Sequence, residues 1–216
     1  MPGVQALNNS SPAESLRGES LLCGIDEAGR GPLAGPVCAA AVILTKEFPF
    51  EILNDSKKMS HCAREKARSV ICGKSLAWGL GWATAAEIDE INIHKASLLA
   101  MKRAFEAMAF SGSGEKLPGP ESPAFLKVVV DGLFIPDICV PCEALVKADN
   151  IIPEVMAASI LAKTYRDSLM EYYSILYPQY GYEKHKGYPT KAHREAIQRW
   201  GPSPIQRMSF KFPKQS

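Results

Sequence analysis

Two apolar runs near the start of the chain are separated by a glycine-rich segment. Residues 21–26 and 37–44 are mostly apolar, and Gly29-Arg30-Gly31-Pro32 lies between them. Short apolar runs bounded by turn-forming residues are typical of buried strands. The pattern therefore predicts two strands joined by a loop.

Three further segments have the composition of strands. Residues 75–84 predict a third strand, and 125–130 predict a buried strand that ends at Asp131-Gly132. A weaker strand pattern covers 144–147. The expected sheet thus has strands both early and late in the chain.

Longer segments between and after these strands have helical signals. Ser60 is a suitable N-cap for a helix that runs towards Gly73, and apolar residues recur every three or four positions from 92 to 110. Pro153 suits the first turn of a long helix that continues to about Tyr173, and 190–199 predict a last helix. Alternating strands and helices predict an α/β fold with a mixed sheet flanked by helices.

Length and composition agree with one folded domain. The chain has 216 residues, 46% of them hydrophobic, which suits a single core over 20–216 after a flexible leader at 1–19. No apolar run reaches the roughly 18–20 residues of a membrane helix, so no membrane association is expected. Six cysteines without an apolar signal segment argue against a secreted disulfide framework and predict a cytoplasmic protein.

Charge is unevenly distributed along the chain. Residues 163–216 hold ten Lys and Arg against four Asp and Glu, so this segment carries +6 while the whole chain carries +2. A basic face next to an acidic centre suits a polyanion. A surface that charge merely keeps soluble is the alternative at this point.

Acidic residues stand where the predicted strands end. Asp26 and Glu27 close the first strand, Asp131 closes the strand at 125–130, and Asp149 follows the weaker strand. If these strands are neighbours, four carboxylates meet at one sheet edge, where two divalent ions such as Mg²⁺ or Mn²⁺ would relieve their repulsion. Ordinary turns after strands are the alternative for each single Asp. Because adjacent strand residues point to opposite faces, Asp26 and Glu27 share a site only if the strand twists or bulges.

A second group of residues suits contacts with a phosphate backbone. Glycines permit close approach of a sugar or phosphate, hydroxyl and ammonium groups donate to phosphate, and an aromatic plane stacks on a sugar or base. The candidates are Gly29, Arg30, Gly31, Ser56, Lys57, Lys186 and Tyr188. Ordinary turns, a solvated loop and a core tyrosine are the alternatives for the individual positions.

Other kinds of site find less support. Cys139 and Cys142 have metal or redox spacing but lack a second pair of ligands. The chain has no Gly-x-Ser-x-Gly motif and no third glycine after Gly29 and Gly31 to complete a dinucleotide fingerprint. Hydrolase triads and dehydrogenases are therefore disfavoured.

Five blocks of sequence stand in order along the chain. They are Gly24-Ile25-Asp26-Glu27-Ala28-Gly29-Arg30-Gly31-Pro32, Asp55-Ser56-Lys57-Lys58, Val130-Asp131-Gly132, Ala157-Ala158-Ser159-Ile160-Leu161-Ala162-Lys163 and His185-Lys186-Gly187-Tyr188-Pro189-Thr190. Together they resemble bacterial ribonuclease HII, the type 2 ribonuclease H. The resemblance runs from about residue 21 to residue 210 and implies a ribonuclease H-like fold, a five-stranded mixed sheet flanked by helices with a C-terminal helical region.

The resemblance also implies an activity and a role for each candidate. It implies a monomeric endonuclease that hydrolyses the RNA strand of RNA–DNA hybrids and cuts 5′ to ribonucleotides embedded in duplex DNA, with two metal ions. Asp26, Glu27, Asp131 and Asp149 would be its metal-binding catalytic carboxylates. Residues 29–31 would read the 2′-hydroxyl, and Tyr188 would pack on the deoxyribose that follows. Ser56, Lys57 and the basic C-terminal helices would hold phosphates.

One position departs from the family pattern. The family usually has Lys-Gly-Asp where this chain has Lys147-Ala148-Asp149, so the backbone turn before Asp149 is expected to differ slightly. Asp167 competes as a fourth carboxylate, but an ion pair with Lys163 one helical turn earlier explains it. Two rival functions remain: another nuclease or strand-transfer protein of the same fold, which would not need residues 29–31 or Tyr188, and a non-catalytic hybrid binder, which would have lost a carboxylate.

Overall fold

A computed structural model describes residues 21–56, 58–111 and 126–210. Its five strands are β1 Leu21–Ala28, β2 Val37–Leu44, β3 Ser75–Ala83, β4 Leu126–Asp131 and β5 Cys142–Leu145. Its helices are α1 His61–Lys74, α2 Ala85–Ser111, α3 Pro153–Leu176, α4 Tyr182–His185 and α5 Lys191–Trp200. The leader predicted at 1–19, Lys57 and residues 112–125 lie outside the described residues.

The strands form one mixed sheet in the order β3-β2-β1-β4-β5. β1 pairs antiparallel with β2 and parallel with β4, and β5 adds to β4 in parallel. The expected five-stranded mixed sheet is therefore confirmed. Because β1 and β4 are parallel neighbours at its centre, their carboxyl ends meet at one edge.

Helices cover both faces of the sheet. Alternate residues of β1 and β4, such as Cys23 and Val130, pack on α2, while α1 and α3 cover the opposite face. Helix α3 lies against β1 so closely that a Cβ on Gly24 would stand 2.2 Å from the backbone of Glu154. A glycine two residues before Asp26 thus lets the helix reach the sheet beside the strand end. No helix among the described residues has the length and apolar character needed to cross a membrane.

Helix α2 differs from its sequence-based prediction. The helical pattern was expected to begin at residue 92, but Asn92 is a kink with φ 69° inside a longer helix. The first part starts with a capping box, in which Thr84 Oγ1 accepts from Glu87 N (3.2 Å) and Glu87 Oε2 accepts from Thr84 N (2.8 Å). Asn92 Oδ1 then accepts from the amides of His94 and Lys95, so it caps the second part.

A C-terminal region packs against the β1–β2 connection. Helices α4 and α5 enclose a small core that includes Tyr182 and Ala34, and Gln206 forms an antiparallel bridge with Ala34. Arg207 N donates to Leu33 O over 2.8 Å. This region therefore stands beside the loop that follows β1.

Candidate active site

Asp26 and Asp131 lie side by side at the carboxyl ends of β1 and β4. The parallel register pairs Ile25 with Val130, and the next residue on each strand is one of these two aspartates. Because Ile25 and Val130 face α2, strand alternation turns both aspartates towards α3. Asp26 is buried, with 6% of its surface exposed.

Asp149 reaches the same place from the turn after β5. Lys147 has a left-handed backbone (φ 61°), and a 3₁₀ turn over Ala148–Asn150 follows it. The amide of Ala148 donates to Asp131 Oδ1 over 2.8 Å, which joins this turn to β4. Ala148 is not among the residues with positive φ, so alanine meets no backbone strain where the family has glycine.

Three carboxylates converge here. Oxygen atoms of Asp26, Asp131 and Asp149 all lie within 4.8 Å of one another. Carboxylate oxygens are hard ligands, and three of them at this spacing suit a small divalent cation such as Mg²⁺ or Mn²⁺. The donor set therefore fits the metal that the sequence predicted.

Glu27 lies beside this group rather than within it. The β1–β2 pairing continues through Ala28 without a register shift, so no bulge turns Glu27 towards the face of Asp26. Its Oε1 accepts from Arg30 Nη1 at 3.1 Å. The side chain nevertheless lines the same cavity.

Crowded negative charge shapes the electrostatics of the site. Burial raises the pKa of Asp26 well above its ordinary value, and the neighbouring Glu27 and Asp131 raise it further. Burial also raises the pKa of Glu27, although Arg30 opposes this shift. Without a cation, the folded protein therefore resists full ionisation of these carboxyls.

A pair of serines supports Asp26 from the side of α3. Asp26 accepts a hydrogen bond from Ser159, and the hydroxyls of Ser159 and Ser56 lie 3.0 Å apart. Arg64 donates to Ser56 O (3.1 Å) and Met59 O (2.6 Å), which holds the loop that carries Ser56. The loop therefore reaches the carboxylates through Ser159.

One cavity of about 620 Å³ collects most of the sequence-based candidates. It is lined by Asp26, Glu27, Ala28, Gly29, Arg30, Gly31, Ser56, Arg64, Asp131, Ser159, Lys163 and Tyr188. The glycine-rich loop and the aromatic ring thus share one space with the acidic residues.

Two buried arginines hold the connection between β1 and β2. Arg207 donates to the carbonyl oxygens of Gly29 (2.6 Å), Arg30 (2.9 Å) and Gly35 (2.8 Å). Arg166 donates to the backbone of Ala34, Pro36 and Lys186 over 3.0–3.3 Å. Gly29 has φ 98°, and a Cβ there would lie 1.9 Å from Arg166 Nε, so only glycine fits.

The lysines near the site have different surroundings. Lys186 Nζ donates to Glu171 Oε1 (2.8 Å) and Glu183 O (2.6 Å), so internal partners engage its ammonium group. Lys163 lines the cavity and forms the predicted ion pair with Asp167 at 2.9 Å. Lys57 lies outside the described residues.

Several residues of the site were not assigned by sequence reasoning. Ser159 and Lys163 stand in a recognised sequence block, but their roles depend on how α3 lies on β1. Arg166 and Arg207 act through backbone carbonyls far away in sequence, and no local pattern marks such bonds. Arg64 acts through the nearer carbonyls of Ser56 and Met59. An arginine within an apolar helical stretch, as at 166, was the one available signal.

Comparisons with known proteins bear on this site. The family model of Ribonuclease HII matches residues 23–212. A ribonuclease HII of Treponema denticola is 55% identical over 88% of this chain and 98% of its own length. One of Dechloromonas aromatica is 48% identical over 88% and 90% of the two chains.

Solved structures share the fold. The PCNA:RNase HII complex from Archaeoglobus fulgidus matches with a TM-score of 0.67 at 23% identity, over 91% of this chain and 98% of that one. Bst-RNase HIII in complex with Mn²⁺ matches with a TM-score of 0.65 at 18% identity, over 93% and 71%. With the family model spanning nearly all the described residues, the chain belongs to the ribonuclease HII family and is an endonuclease that degrades the RNA strand of RNA–DNA hybrids.

Proposed function

We propose that this endonuclease cuts on the 5′ side of a ribonucleotide, in hybrids and in duplex DNA with embedded ribonucleotides, and leaves 5′-phosphate and 3′-hydroxyl ends. One observation carries the proposal: two of the three converging carboxylates, those of Asp26 and Asp131, line one cavity with the glycine-rich loop and Tyr188. The carboxylates supply the chemistry of hydrolysis. The loop and the ring supply a means to recognise one sugar.

The proposed metal ligands are Asp26, Asp131 and Asp149, with Glu27 as the fourth carboxylate. Two Mg²⁺ or Mn²⁺ ions held there would activate a water molecule and stabilise the leaving 3′ oxygen. Ser159 and the amide of Ala148 orient Asp26 and Asp131 from the protein side. Arg30 holds Glu27 at the cavity wall, where its carboxylate would face the incoming strand.

The loop at 29–31 would recognise the ribose through its backbone. Glycine at 29 and 31 leaves the peptide groups accessible, and Arg207 fixes the peptide planes by binding the carbonyls of Gly29 and Arg30. A 2′-hydroxyl both donates and accepts hydrogen bonds, so a rigid backbone site distinguishes ribose from deoxyribose. The 41% exposed Tyr188 would pack on the next sugar and keep the strand in register.

A duplex with one embedded ribonucleotide tests this function. The wild-type protein should cut it 5′ to the ribonucleotide, leave the all-DNA counterpart intact and lose activity in excess EDTA. Tyr188→Ala should slow this cleavage by the equivalent of about 1–3 kcal/mol. Tyr172→Ala, which removes an exposed tyrosine outside the cavity lining, is the matched control and should cut normally. Equal cleavage of both duplexes, or normal cleavage by Tyr188→Ala, would show the recognition mechanism to be wrong.

We also propose that residues 20–216 act as one catalytic domain, as a monomer in the cytoplasm. All four carboxylates come from the same chain, which supports a complete site in one copy. All six cysteines are unpaired thiols, which suits a reducing compartment. Light scattering of the active protein should give the mass of one chain, and a dimer as the only active species would contradict this.

A further inference from the structure

Two buried histidines are stacked beneath the loop that carries Tyr188. The rings of His185 and His193 lie 4.5 Å apart, with 16° between their planes, and the residues are 8% and 0% exposed. The ring of Tyr182 meets both edge-on, at 5.8 Å and 5.4 Å. This packing fixes the planes of both imidazoles.

Hydrogen bonds assign the proton on each ring. His185 Nε2 lies 2.9 Å from Tyr180 O, and because a carbonyl only accepts, Nε2 carries the proton. Its Nδ1 then accepts from the amide of Gly187 at 3.2 Å. His193 Nδ1 lies 3.0 Å from Tyr188 O and therefore donates to it. These bonds require a neutral His185, and burial lowers the pKa of both rings.

These bonds hold the backbone on both sides of Tyr188. His185 binds the amide of Gly187, and His193 binds the carbonyl of Tyr188 itself. Lys186 and Gly187 both have left-handed backbones, with φ 50° and 85°. Lysine rarely adopts this conformation, so the loop needs fixed partners to keep it.

The loop in turn places the ring of Tyr188 over the glycine-rich loop. Gly187 O accepts from Leu33 N at 2.8 Å, and a Cβ on Gly31 would lie 3.5 Å from Tyr188 Cε1. Neither histidine lines the cavity. Any effect of the histidines on the substrate must therefore pass through the loop that carries Tyr188.

We propose that His185 and His193 are positioning residues that set the ring of Tyr188 for cleavage at a ribonucleotide. The proposal rests on the proposed role of Tyr188 in holding the sugar. Stacking alone would only fill space. The Nδ1 donor of His193 adds direction, because it fixes the peptide plane from which the Tyr188 side chain projects.

Three variants of His193 separate the effect of its hydrogen bond to Tyr188 O from the effect of its packed ring. His193→Phe keeps a stacked ring but removes the donor to Tyr188 O. His193→Asn places an amide nitrogen near the position of Nδ1 and keeps the donor. If the Phe variant does not fold, His193→Gln replaces it, since its amide nitrogen matches Nε2 and loses the same bond. His94→Phe is the control for a histidine in a ring contact with Phe134, elsewhere in the molecule.

Cleavage of the single-ribonucleotide duplex is measured in a double-mutant cycle with Tyr188→Ala. We expect His193→Phe to lower kcat/KM roughly ten-fold, His193→Asn to stay within about three-fold of wild type, and His193→Phe to cost nothing further in the Tyr188→Ala background. Additive losses, or an Asn variant as impaired as the Phe variant, would overturn the proposal.

Fluorine NMR does not depend on activity, so it tests the positioning of Tyr188 separately from the proposed function. With 3-fluorotyrosine incorporated, the fluorine resonance of Tyr188 is assigned by its absence in Tyr188→Phe. We expect His193→Phe to shift this resonance and His193→Asn and His94→Phe to leave it in place. An unmoved resonance in His193→Phe overturns the positioning role. A moved resonance with normal cleavage by Tyr188→Ala supports positioning and rejects the proposed role of Tyr188.

Discussion

Arg207 Nη2 donates to the carbonyl oxygen of Gly29 over 2.6 Å, although the two residues are 178 positions apart in the chain. The guanidinium is fully buried, and burial together with Arg166 lowers the pKa of Arg207 to about 9. Such a desolvated charge persists only where hydrogen bonds compensate for the loss of water. The C-terminal segment that carries Arg207 therefore supports the loop that would read the ribose.

Replacing Arg207 with lysine should loosen this loop. Lysine keeps the charge but lacks the planar guanidinium group that reaches three carbonyls. The free energy of unfolding should therefore fall by about 1–3 kcal/mol. Cleavage at a single ribonucleotide should fall roughly ten-fold or more, because small displacements of a recognition group are costly. Thermal unfolding and single-turnover cleavage measure the two effects.

Arg103→Lys is the control for Arg207→Lys. Arg103 Nη1 also donates to a backbone carbonyl, that of Trp82 at 2.7 Å, but lies outside the cavity lining. The Arg103→Lys variant should be less stable than the wild type but should cleave at nearly the same rate. If both variants lose the same activity, the link between Arg207 and ribose recognition is wrong.

Asp131→Asn should nearly abolish hydrolysis without disrupting the fold. The amide is close in shape to the carboxylate and still offers an oxygen to Ala148 N, but it removes one charge from the metal site. We expect kcat to fall on the order of a thousand-fold, with hybrid binding kept. Asp137→Asn, at an exposed ion pair with Lys102, should cut normally. An active Asp131 variant would refute the carboxylate assignment.

Metal removal should make stability depend on pH. The folded-state pKa of Asp26 and Glu27 is raised, so their contribution is greatest below the ordinary carboxyl pKa of about 4 and is lost as the pH rises through the folded-state values. In EDTA the midpoint temperature of unfolding should therefore decrease as the pH is raised from about 4 to neutral. Adding Mg²⁺ or Mn²⁺ should restore it by neutralising the carboxylates. A midpoint indifferent to both ions at neutral pH would contradict a metal site.

His193 should make stability depend on pH in the opposite direction to Asp26 and Glu27. Burial lowers the pKa of His193 from 6.5 to about 4, and Tyr188 O, Gly187, Tyr182 and His185 surround its ring. Its contribution to stability is thus present above the unfolded pKa and is lost as the pH falls from about 6.5 towards 4.

Comparison of two proteins isolates this contribution. His185, whose pKa is lowered by burial and by Lys186 and raised by Glu183, remains in both. Unfolding midpoints of wild type and His193→Phe, both with Mg²⁺, should converge as the pH falls. Parallel curves would show that His193 does not titrate as described.

Salt dependence should distinguish the two lysines. Lys163 lines the cavity, so Lys163→Ala should reduce the slope of log affinity against log salt by about one. Lys186 does not line the cavity and donates to Glu171 and to the backbone of Glu183, so Lys186→Ala should change the slope only a little. Hybrid binding at several salt concentrations is the measurement, and the reverse order would contradict this placement of the phosphate contacts.

Local chemistry along the chain determined most of the elements. The N-cap Ser60, the early Pro153 and the valine-rich strand before Asp131 each act within one or a few turns of backbone, so their patterns predicted α1, α3 and β4. Chain order also placed Asp26 and Asp131 at the ends of two predicted strands. They were predicted to share a site if those strands are neighbours, and the structure shows that β1 and β4 are parallel neighbours.

Tertiary structure decided which side chains share the site and what holds them there. Strand alternation without a bulge separated Glu27 from the three converging aspartates. Lys147 has a left-handed backbone and Ala148 does not. No local sequence pattern shows which of the two residues adopts this conformation. Arg166 and Arg207 bind backbone atoms of distant segments, and such bonds depend on which segments fold together rather than on neighbouring residues.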